Sequence, residues 1–187
     1  MIISKISTFQ SREIGLRLKA IRKLLILSLK KVATGSDLTV ASLKRLEEGK
    51  GNVHLINLLK LLTFYGVPVL EFFDFSKKLK DEKTFRANMI NFHQEHDSDR
   101  HKILDTPIDL IDLIELRLLD LNLFREWVDV QTVDEYIRTA FGITYKNISG
   151  SLLTAIKNGW LISRKKHSDN AKARVNEYII IDLKDTK

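Results

Sequence analysis

The sequence predicts a mainly α-helical protein of two domains, the second of which ends in a β-hairpin. Three observations predict this fold class. The 187 residues include only two prolines and eight glycines, so few positions break a helix. Apolar residues recur at steps of three and four along most of the chain, as on one face of a helix. Near the end, two β-prone segments, residues 160–164 and 174–183, flank a polar loop.

The composition excludes several classes of protein. Apolar residues make up 44% and charged residues 29%, as in an ordinary globular protein. Cysteine is absent, which excludes disulfides, thiolate metal sites and cysteine nucleophiles. No apolar run reaches the roughly 18 residues that span a bilayer, and Lys5 and Arg12 interrupt any signal-peptide core. We therefore expect a cytoplasmic protein with no membrane contact.

The charge is distributed unevenly along the chain. The net charge is +7, and residues 1–75 alone hold twelve basic and six acidic residues. Residues 106–128 hold two basic and five acidic residues, and residues 129–187 hold ten basic and seven acidic residues. Positive charge at both ends of the chain favours a polyanionic partner.

The first domain, residues 1–75, is predicted to hold five short helices. From Ser11 the apolar residues follow one helix face, at Ile14, Leu18, Ile21, Leu24 and Leu25. The basic residues between them are expected to face outward or to flank this stripe: Arg17, Lys19, Arg22 and Lys23.

Capping residues divide the next stretch into separate helices. Ser28 and Thr39 carry hydroxyls that accept hydrogen bonds from first-turn amides, so they are predicted to begin helices over 29–34 and 40–48. Gly49 and Gly66 follow apolar helical runs and stand where a helix usually ends. Residues 35–37 form the intervening turn, in which Asp37 tolerates left-handed backbone.

Residues 27–50, LSLKKVATGSDLTVASLKRLEEGK, resemble the helix-turn-helix of the Cro/XRE-like (phage-repressor) family. The resemblance extends over residues 11–75 and agrees in spacing over all five helices. It implies a lambda-repressor-like domain that binds double-stranded DNA. The chain departs from the family pattern at Ile26 and Asp37, where glycine is common, and at Leu29, where glutamine is frequent.

The resemblance also implies which residues meet DNA. A recognition helix enters the major groove and reads base edges near its N-terminus. The implied base-reading residues are Thr39, Val40, Ala41, Ser42 and Lys44. The residues better placed for phosphates, which fix register without reading sequence, are Arg17, Ser28, Lys30, Arg45, Lys50 and Asn52.

Residues 76–105 are highly charged and hold few aliphatic residues, so we interpret them as a connector. Phe85, Met89 and Phe92 share one helical face, which indicates that part of the connector is helical. Three histidines and two aspartates between residues 93 and 101 are spaced too loosely for the four well-set ligands of a zinc site. We expect no metal and no cofactor.

The second domain, residues 106–187, is predicted to begin with a helix opened by Thr106 and Pro107. Two apolar stripes over residues 110–124 leave two interpretations: a core helix buried on two sides, or a helix that also forms a dimer interface. A capping box, Thr132 to Glu135, predicts a second helix that Gly142 closes. A third helix is predicted from residue 144 or 145 to residue 157.

Three helices followed by a strand pair and a basic loop resemble a winged helix, over residues 107–183. This resemblance implies an α+β domain with a β-hairpin wing. By analogy the third helix would carry DNA contacts at Tyr145, Lys146, Asn147 and Ser151. The wing would carry contacts at Arg164, Lys165, Lys166, His167, Lys172 and Arg174. The same fold alternatively serves for dimerisation or for contact with a protein partner.

No residue group is arranged for catalysis, since there is no Gly-rich phosphate loop and no paired acid and base. The resemblance to the Cro/XRE-like family implies a sequence-specific DNA-binding transcriptional regulator, and we expect it to act as a homodimer on double-stranded DNA without an evident small-molecule effector. Two alternatives stay open. One is a protein-interaction or antitoxin-like module, and the other is a replication or partition factor of a plasmid or mobile element.

Overall fold

The chain is mainly helical and divides into two compact units, Met1–Pro107 and Ile108–Lys187. The structure, a computed structural model, describes residues 2–50, 54–167 and 174–181. For residues 2–10, 166, 167 and 174 it describes the backbone alone. Within the described residues, none of the helices combines the length and the apolar character that crossing a bilayer requires.

The first unit consists of six α-helices and a 3-10 helix in its described residues. The α-helices are α1 (Ile2–Leu24), α2 (Leu29–Gly35), α3 (Val40–Glu47), α4 (Leu55–Tyr65), α5 (Val69–Phe73) and α6 (Glu82–Glu95). The 3-10 helix spans Asp99–Asp105. Helix α1 begins well before Ser11, where the sequence pattern places its start.

The helix boundaries around residues 28–66 agree with the capping pattern. Ser28 Oγ accepts from the Lys31 amide at 3.3 Å and Thr39 Oγ1 from the Ser42 amide at 3.1 Å. Gly66 ends α4 in left-handed backbone. Asp37 has a φ of 54°, so the turn before α3 adopts the left-handed conformation that the sequence indicates.

The core of the first unit draws on every helix from α1 to α6. Leu18, Ile21, Leu43, Leu62 and Phe72 are each at most 1% exposed. Gly15 lets α1 approach α3, since a Cβ on Gly15 would lie 2.5 Å from the Leu46 carbonyl oxygen. Burial of this apolar surface supplies the main stabilisation of the unit.

Residues 82–105 belong to this core, which corrects their interpretation as a connector. Phe85, Met89 and Leu104 are buried in the same apolar cluster as the helices before them. Gly66 shows how closely α6 packs, since a Cβ there would lie 2.9 Å from the Phe92 Cβ. Helix α6 has only a narrow apolar face and is otherwise charged. For this reason its sequence resembles that of a solvent-exposed connector. The compact unit therefore extends to Pro107.

The second unit combines helices with a three-stranded antiparallel sheet. It contains α7 (Leu110–Leu113), a π-helix (Ile114–Leu118), a 3-10 helix (Asn122–Arg125), β1 (Val128–Asp129), α8 (Val130–Phe141), α9 (Ile148–Lys157), β2 (Leu161–His167) and β3 (Arg174–Ile180). The strand order is β1-β3-β2. Strand β3 pairs with β2 from Leu161 opposite Ile180, and with β1 from Val128 opposite Tyr178.

The first helical segment of this unit differs from its prediction. It begins at Leu110 after Asp109, whereas Thr106 ends the preceding 3-10 helix. At Ile114 the α-helix becomes a π-helix, whose wider turn changes the face on which following residues lie. Leu110, Leu113, Ile114, Leu116 and Leu118 are all at most 5% exposed. The segment is thus a core element, which both interpretations include.

Helix α8 also begins earlier than its prediction. Asp129 is its N-cap, and the Asp129 carboxylate accepts from the amide of Thr132 at 2.8 Å and from its hydroxyl at 2.8 Å. Thr132 is therefore inside the helix and no capping box forms. The sequence pattern shows two strands and misses β1, which is only two residues long.

Candidate nucleic-acid interface

The N-terminal half of α3 presents an exposed surface. Thr39, Val40 and Ala41 are exposed, with Val40 at 43%. Ser42 is half-buried, and its hydroxyl oxygen accepts from the Thr39 hydroxyl at 2.9 Å. Lys44, one turn further on, is exposed. The five residues predicted to read bases therefore lie where the core leaves α3 uncovered.

A buried ion pair holds the C-terminal end of α3 on α1. Arg22 Nε lies 2.7 Å from Glu47 Oε1, and Arg22 Nη2 lies 2.7 Å from Glu47 Oε2. Arg22 Nη1 also donates to the Leu27 carbonyl at 3.2 Å. Both side chains are at most 4% exposed. Two parallel hydrogen bonds between opposite charges are strong and allow only one relative orientation of the two groups. The pair therefore fixes the position of α3 on α1.

The prediction that Arg22 faces outward or flanks the apolar stripe is wrong, because Arg22 is buried. Arg22 stands four residues after Leu18 and three before Leu25, which puts it on the buried face of α1. This spacing of three and four residues from buried leucines is the feature of the sequence that indicates burial of Arg22. Residue type concealed it, because arginine is rarely buried unless it is paired.

A carboxylate lies between two cations at the end of α3. Glu48 Oε2 lies 2.9 Å from Lys50 Nζ, and Glu48 Oε1 lies 3.9 Å from Lys44 Nζ. The hydrogen bond from Lys50 holds the pKa of Glu48 below its ordinary value, and the charges of Lys44 and Lys19 act in the same direction. Glu48 therefore stays ionised and reduces the positive potential of this end of the helix.

The predicted phosphate-binding residues fall into different environments. Lys30 and Arg45 are exposed and form no ion pair with another described residue. Ser28 caps α2, and Lys50 is bound to Glu48. Asn52 lies outside the described residues.

Arg17 is engaged inside the first unit. Its Nη1 donates to the Lys77 carbonyl at 3.2 Å, and its guanidinium carbon lies 5.5 Å from the centroid of the Phe75 ring. These contacts direct the side chain to the segment after α5. The Arg17 side chain is therefore occupied by contacts with the segment after α5.

In the second unit, the predicted residues of the third helix are partly occupied by structural contacts. The Tyr145 hydroxyl donates to the Ile108 carbonyl at 2.8 Å, and burial, with Asp109 and Asp112, raises the pKa of Tyr145. Asn147 caps α9 by accepting from the Gly150 amide at 3.0 Å. Lys146 is exposed and Ser151 is half-buried.

The hairpin carries both occupied and exposed cations. Arg164 Nε lies 2.9 Å from Glu177 Oε2, and its guanidinium carbon lies 4.3 Å from the centroid of the Trp127 ring. Lys165 is exposed. The side chains of Lys166, His167 and Arg174, and the whole of Lys172, lie outside the described residues.

His93 and His96 are bound to backbone carbonyls of the first unit. His93 is 1% exposed, and its Nε2 donates to the Phe64 carbonyl at 2.8 Å. Among the described residues, no group of three or more His, Asp or Glu side chains is placed to hold a metal ion. His96 Nδ1 lies 2.7 Å from the Phe92 carbonyl oxygen instead.

Residues 18–72, which contain α2, α3 and α4, match the helix-turn-helix family model. Residues 18–72 thus match the Cro/C1-type helix-turn-helix of the XRE family. The resemblance seen over residues 11–75 is thereby confirmed for the matched range. The comparisons with curated proteins and with solved structures gave no match.

The match over these residues supports a DNA-binding regulator in general. Domains of this family bind DNA and regulate, and are not typically catalytic. Within the domain, the turn is residues 36–39 and the helix after the turn is α3. That helix is the element whose outer side carries the exposed residues described above.

Proposed function

We propose that the chain is a sequence-specific transcriptional regulator whose helix α3 reads the major groove of double-stranded DNA. One observation carries the proposal. The Arg22–Glu47 pair fixes the C-terminal end of α3 on α1, while the N-terminal half of α3 is exposed. A reading helix needs both properties, because its side chains must meet base edges in one register.

The proposed base contacts follow from the side chains on the exposed side. Val40 and Ala41 offer methyl groups that pack on thymine methyls. Ser42, whose oxygen already accepts from Thr39, keeps its own hydroxyl proton for an acceptor on a base edge. Lys44 is long enough to reach a guanine oxygen or nitrogen further along the groove.

The proposed phosphate contacts are Ser28, Lys30, Arg45 and Lys50. Lys30 and Arg45 are exposed cations without an ion-pair partner among the described residues, so neither must break a salt bridge to bind a phosphate. Lys50 must exchange its bond to Glu48 for one to DNA. We expect Arg45 to contribute more to affinity than Lys50.

We propose that the second unit is a winged helix. The support is the order helix, strand, helix, helix, strand, strand, together with the sheet order β1-β3-β2. Helix α9 and the β2–β3 hairpin would then be its DNA-facing elements, with Lys146 and Lys165 as contacts. Arg164 is less available, because Glu177 and Trp127 hold it.

We propose a homodimer formed through an apolar patch at α5. Val69, Leu70, Phe73 and Phe75 are exposed, with Leu70 at 88%. A second copy of the chain is the proposed partner of this patch, since a two-fold dimer places two recognition helices on two half-sites. We expect Leu70→Glu to shift the protein towards monomer in sedimentation. The matched control is Leu153→Glu, on the exposed side of α9.

The decisive experiment selects bound fragments from random duplex DNA and measures the salt dependence of binding. Arg45→Ala should weaken binding and reduce the slope of log affinity against log salt by about one. Lys83→Ala, an exposed cation on α6, is the control with the same charge change. Equal effects of the two substitutions would refute the proposed interface. Failure to select any duplex would favour the protein-interaction alternative.

A further inference from the structure

The turn between α2 and α3 places a charged residue in left-handed backbone. Asp37 has a φ of 54°, a conformation that favours glycine and that aspartate adopts at a small cost. Ser36 before it is fully buried, and its hydroxyl donates to the Val32 carbonyl at 2.7 Å. Thr39, the N-cap of α3, follows two residues later. The shape of this turn therefore sets where α3 begins.

Arg100 contacts this turn at two points. Its Nη1 donates to the Gly35 carbonyl at 2.9 Å, and its Nη2 lies 2.5 Å from Asp37 Oδ2. A planar guanidinium that binds two acceptors at once fixes their relative position. Arg100 belongs to the 3-10 helix Asp99–Asp105, beyond the matched residues 18–72.

The segment that carries Arg100 is itself anchored to the first unit. Leu104 is 7% exposed and belongs to the apolar core. Arg86 Nη2 donates to the Leu104 carbonyl at 2.8 Å, and Lys31 Nζ donates to the Pro107 carbonyl at 2.9 Å. The backbone that carries Arg100 is thus fixed to the first unit. The Arg100 guanidinium can therefore stabilise the conformation of the turn.

We propose that Arg100 is a positioning residue for DNA reading, an inference that rests on the proposed function of α3. The two ends of α3 are held separately: the Arg22–Glu47 pair holds the C-terminal end, and Arg100 holds the N-terminal end through the turn. Recognition helices place their base contacts mainly near the N-terminus. Arg100 therefore acts on the end that discriminates between sequences.

The geometry also separates positioning from simple stabilisation. The side chains of Arg100 and Asp37 are 40% and 61% exposed, and exposed ion pairs contribute little to global stability. Loss of Arg100 is therefore expected to leave the domain folded and to change how it reads DNA.

The test compares Arg100→Ala with Lys102→Ala in the full chain. Both remove one cation from the same 3-10 helix, but Lys102 pairs with Asp99. Affinity is measured for the selected duplex and for a scrambled duplex, at one salt concentration and at a temperature where circular dichroism shows both variants folded. We expect Arg100→Ala to lower the ratio of the two affinities by about fivefold to tenfold. Lys102→Ala should leave that ratio unchanged.

The outcomes distinguish this inference from the proposed function. Equal ratios for the two variants would overturn the role of Arg100, even if Arg45→Ala still weakened binding. Absence of any selected duplex for the unmodified chain would overturn both. If Arg100→Ala does not fold, Arg100→Gln, which keeps an amide donor for the Gly35 carbonyl, is measured in the same way.

Asp37→Gly supplies an independent check. Glycine adopts this φ without strain, and the substitution removes the carboxylate that Arg100 binds. The conformation of the turn should therefore depend less on Arg100. In the Asp37→Gly background, Arg100→Ala should lower the affinity ratio less than in the unmodified chain, because the contact to Asp37 is already absent and only the bond to the Gly35 carbonyl remains to be lost. An undiminished loss in that background would show that Arg100 does not act through Asp37.

Discussion

Glu47 is a buried carboxylate whose partner, Arg22, is equally buried. Removing one charge of such a pair leaves the other uncompensated, which costs about 3–5 kcal/mol. We expect Glu47→Gln to lower the free energy of unfolding by about 3 kcal/mol in urea titrations followed by circular dichroism. Glu48→Gln is the matched control, the same substitution one residue on, at an exposed position. A loss no larger than that of the control would contradict this role for the pair.

Glu48 is expected to restrain DNA binding. Its carboxylate holds Lys50 and lies near Lys44, on the helix that we propose meets the phosphates. We expect Glu48→Gln to raise DNA affinity roughly threefold at low salt, because a like charge is removed and two cations are released. Fluorescence anisotropy with a labelled duplex measures the affinity of both proteins for DNA. Glu95→Gln, an exposed residue of α6 with the same charge change, should have little effect.

At the scale of single residues, local rules could be read from the sequence and tertiary pairs could not. Ser28 and Thr39 cap helices because their hydroxyls reach amides three residues away, which is a property of the local chain. The pairing of Arg22 with Glu47 joins residues 25 positions apart. Residue type suggests solvent for both, and only the packing of α1 on α3 brings them together.

At the scale of elements, α6 is tied to α4 by a histidine whose charge is suppressed. Burial lowers the pKa of His93 below its ordinary value of 6.5, although the hydrogen bond to the Phe64 carbonyl opposes this. The unfolded chain therefore binds more protons than the folded protein at mildly acidic pH, and stability rises with pH there. The contribution of neutral His93 is complete above about pH 6.5 and is lost as the pH falls below it.

The variant His93→Gln keeps a donor for the Phe64 carbonyl and does not titrate. We expect the loss of unfolding free energy between about pH 7.5 and pH 5.5 to be smaller in this variant than in the unmodified chain. His96→Gln, at the exposed C-cap of the same helix, should retain a pH dependence close to that of the unmodified chain. The same dependence in both variants would exclude His93 as its source.

Helices with a wide apolar stripe and a terminal glycine could be predicted, as α4 shows with Gly66. Competing caps could not be resolved. Asp129 and Thr132 both suit an N-cap, and the structure uses Asp129 and binds Thr132 to it. The π-helix at Ile114–Leu118 departs from the 3.6-residue period on which such predictions rely. Strand β1 is too short for any alternation to show.

At the scale of the whole molecule, the first unit is expected to fold as residues 1–107 and not as residues 1–75. Removing α6 and the 3-10 helix takes Phe85, Met89 and Leu104 from the core. Each such side chain contributes about 1.5–3 kcal/mol by its burial, so the loss of about 5–9 kcal/mol is comparable with the stability of a small domain. Cooperative urea unfolding of the longer fragment alone is the expected result. Cooperative unfolding of both fragments would contradict it.

The position of Pro107 as the end of the first unit has a consequence for recombination. A hybrid protein that takes only the residues up to 72, where the family match ends, would contain α3 but would lack α6, which completes the hydrophobic core. Fusions that preserve function should therefore have their junctions beyond residue 107. The segment that must be transferred as one piece is therefore longer than the residues that match the family model.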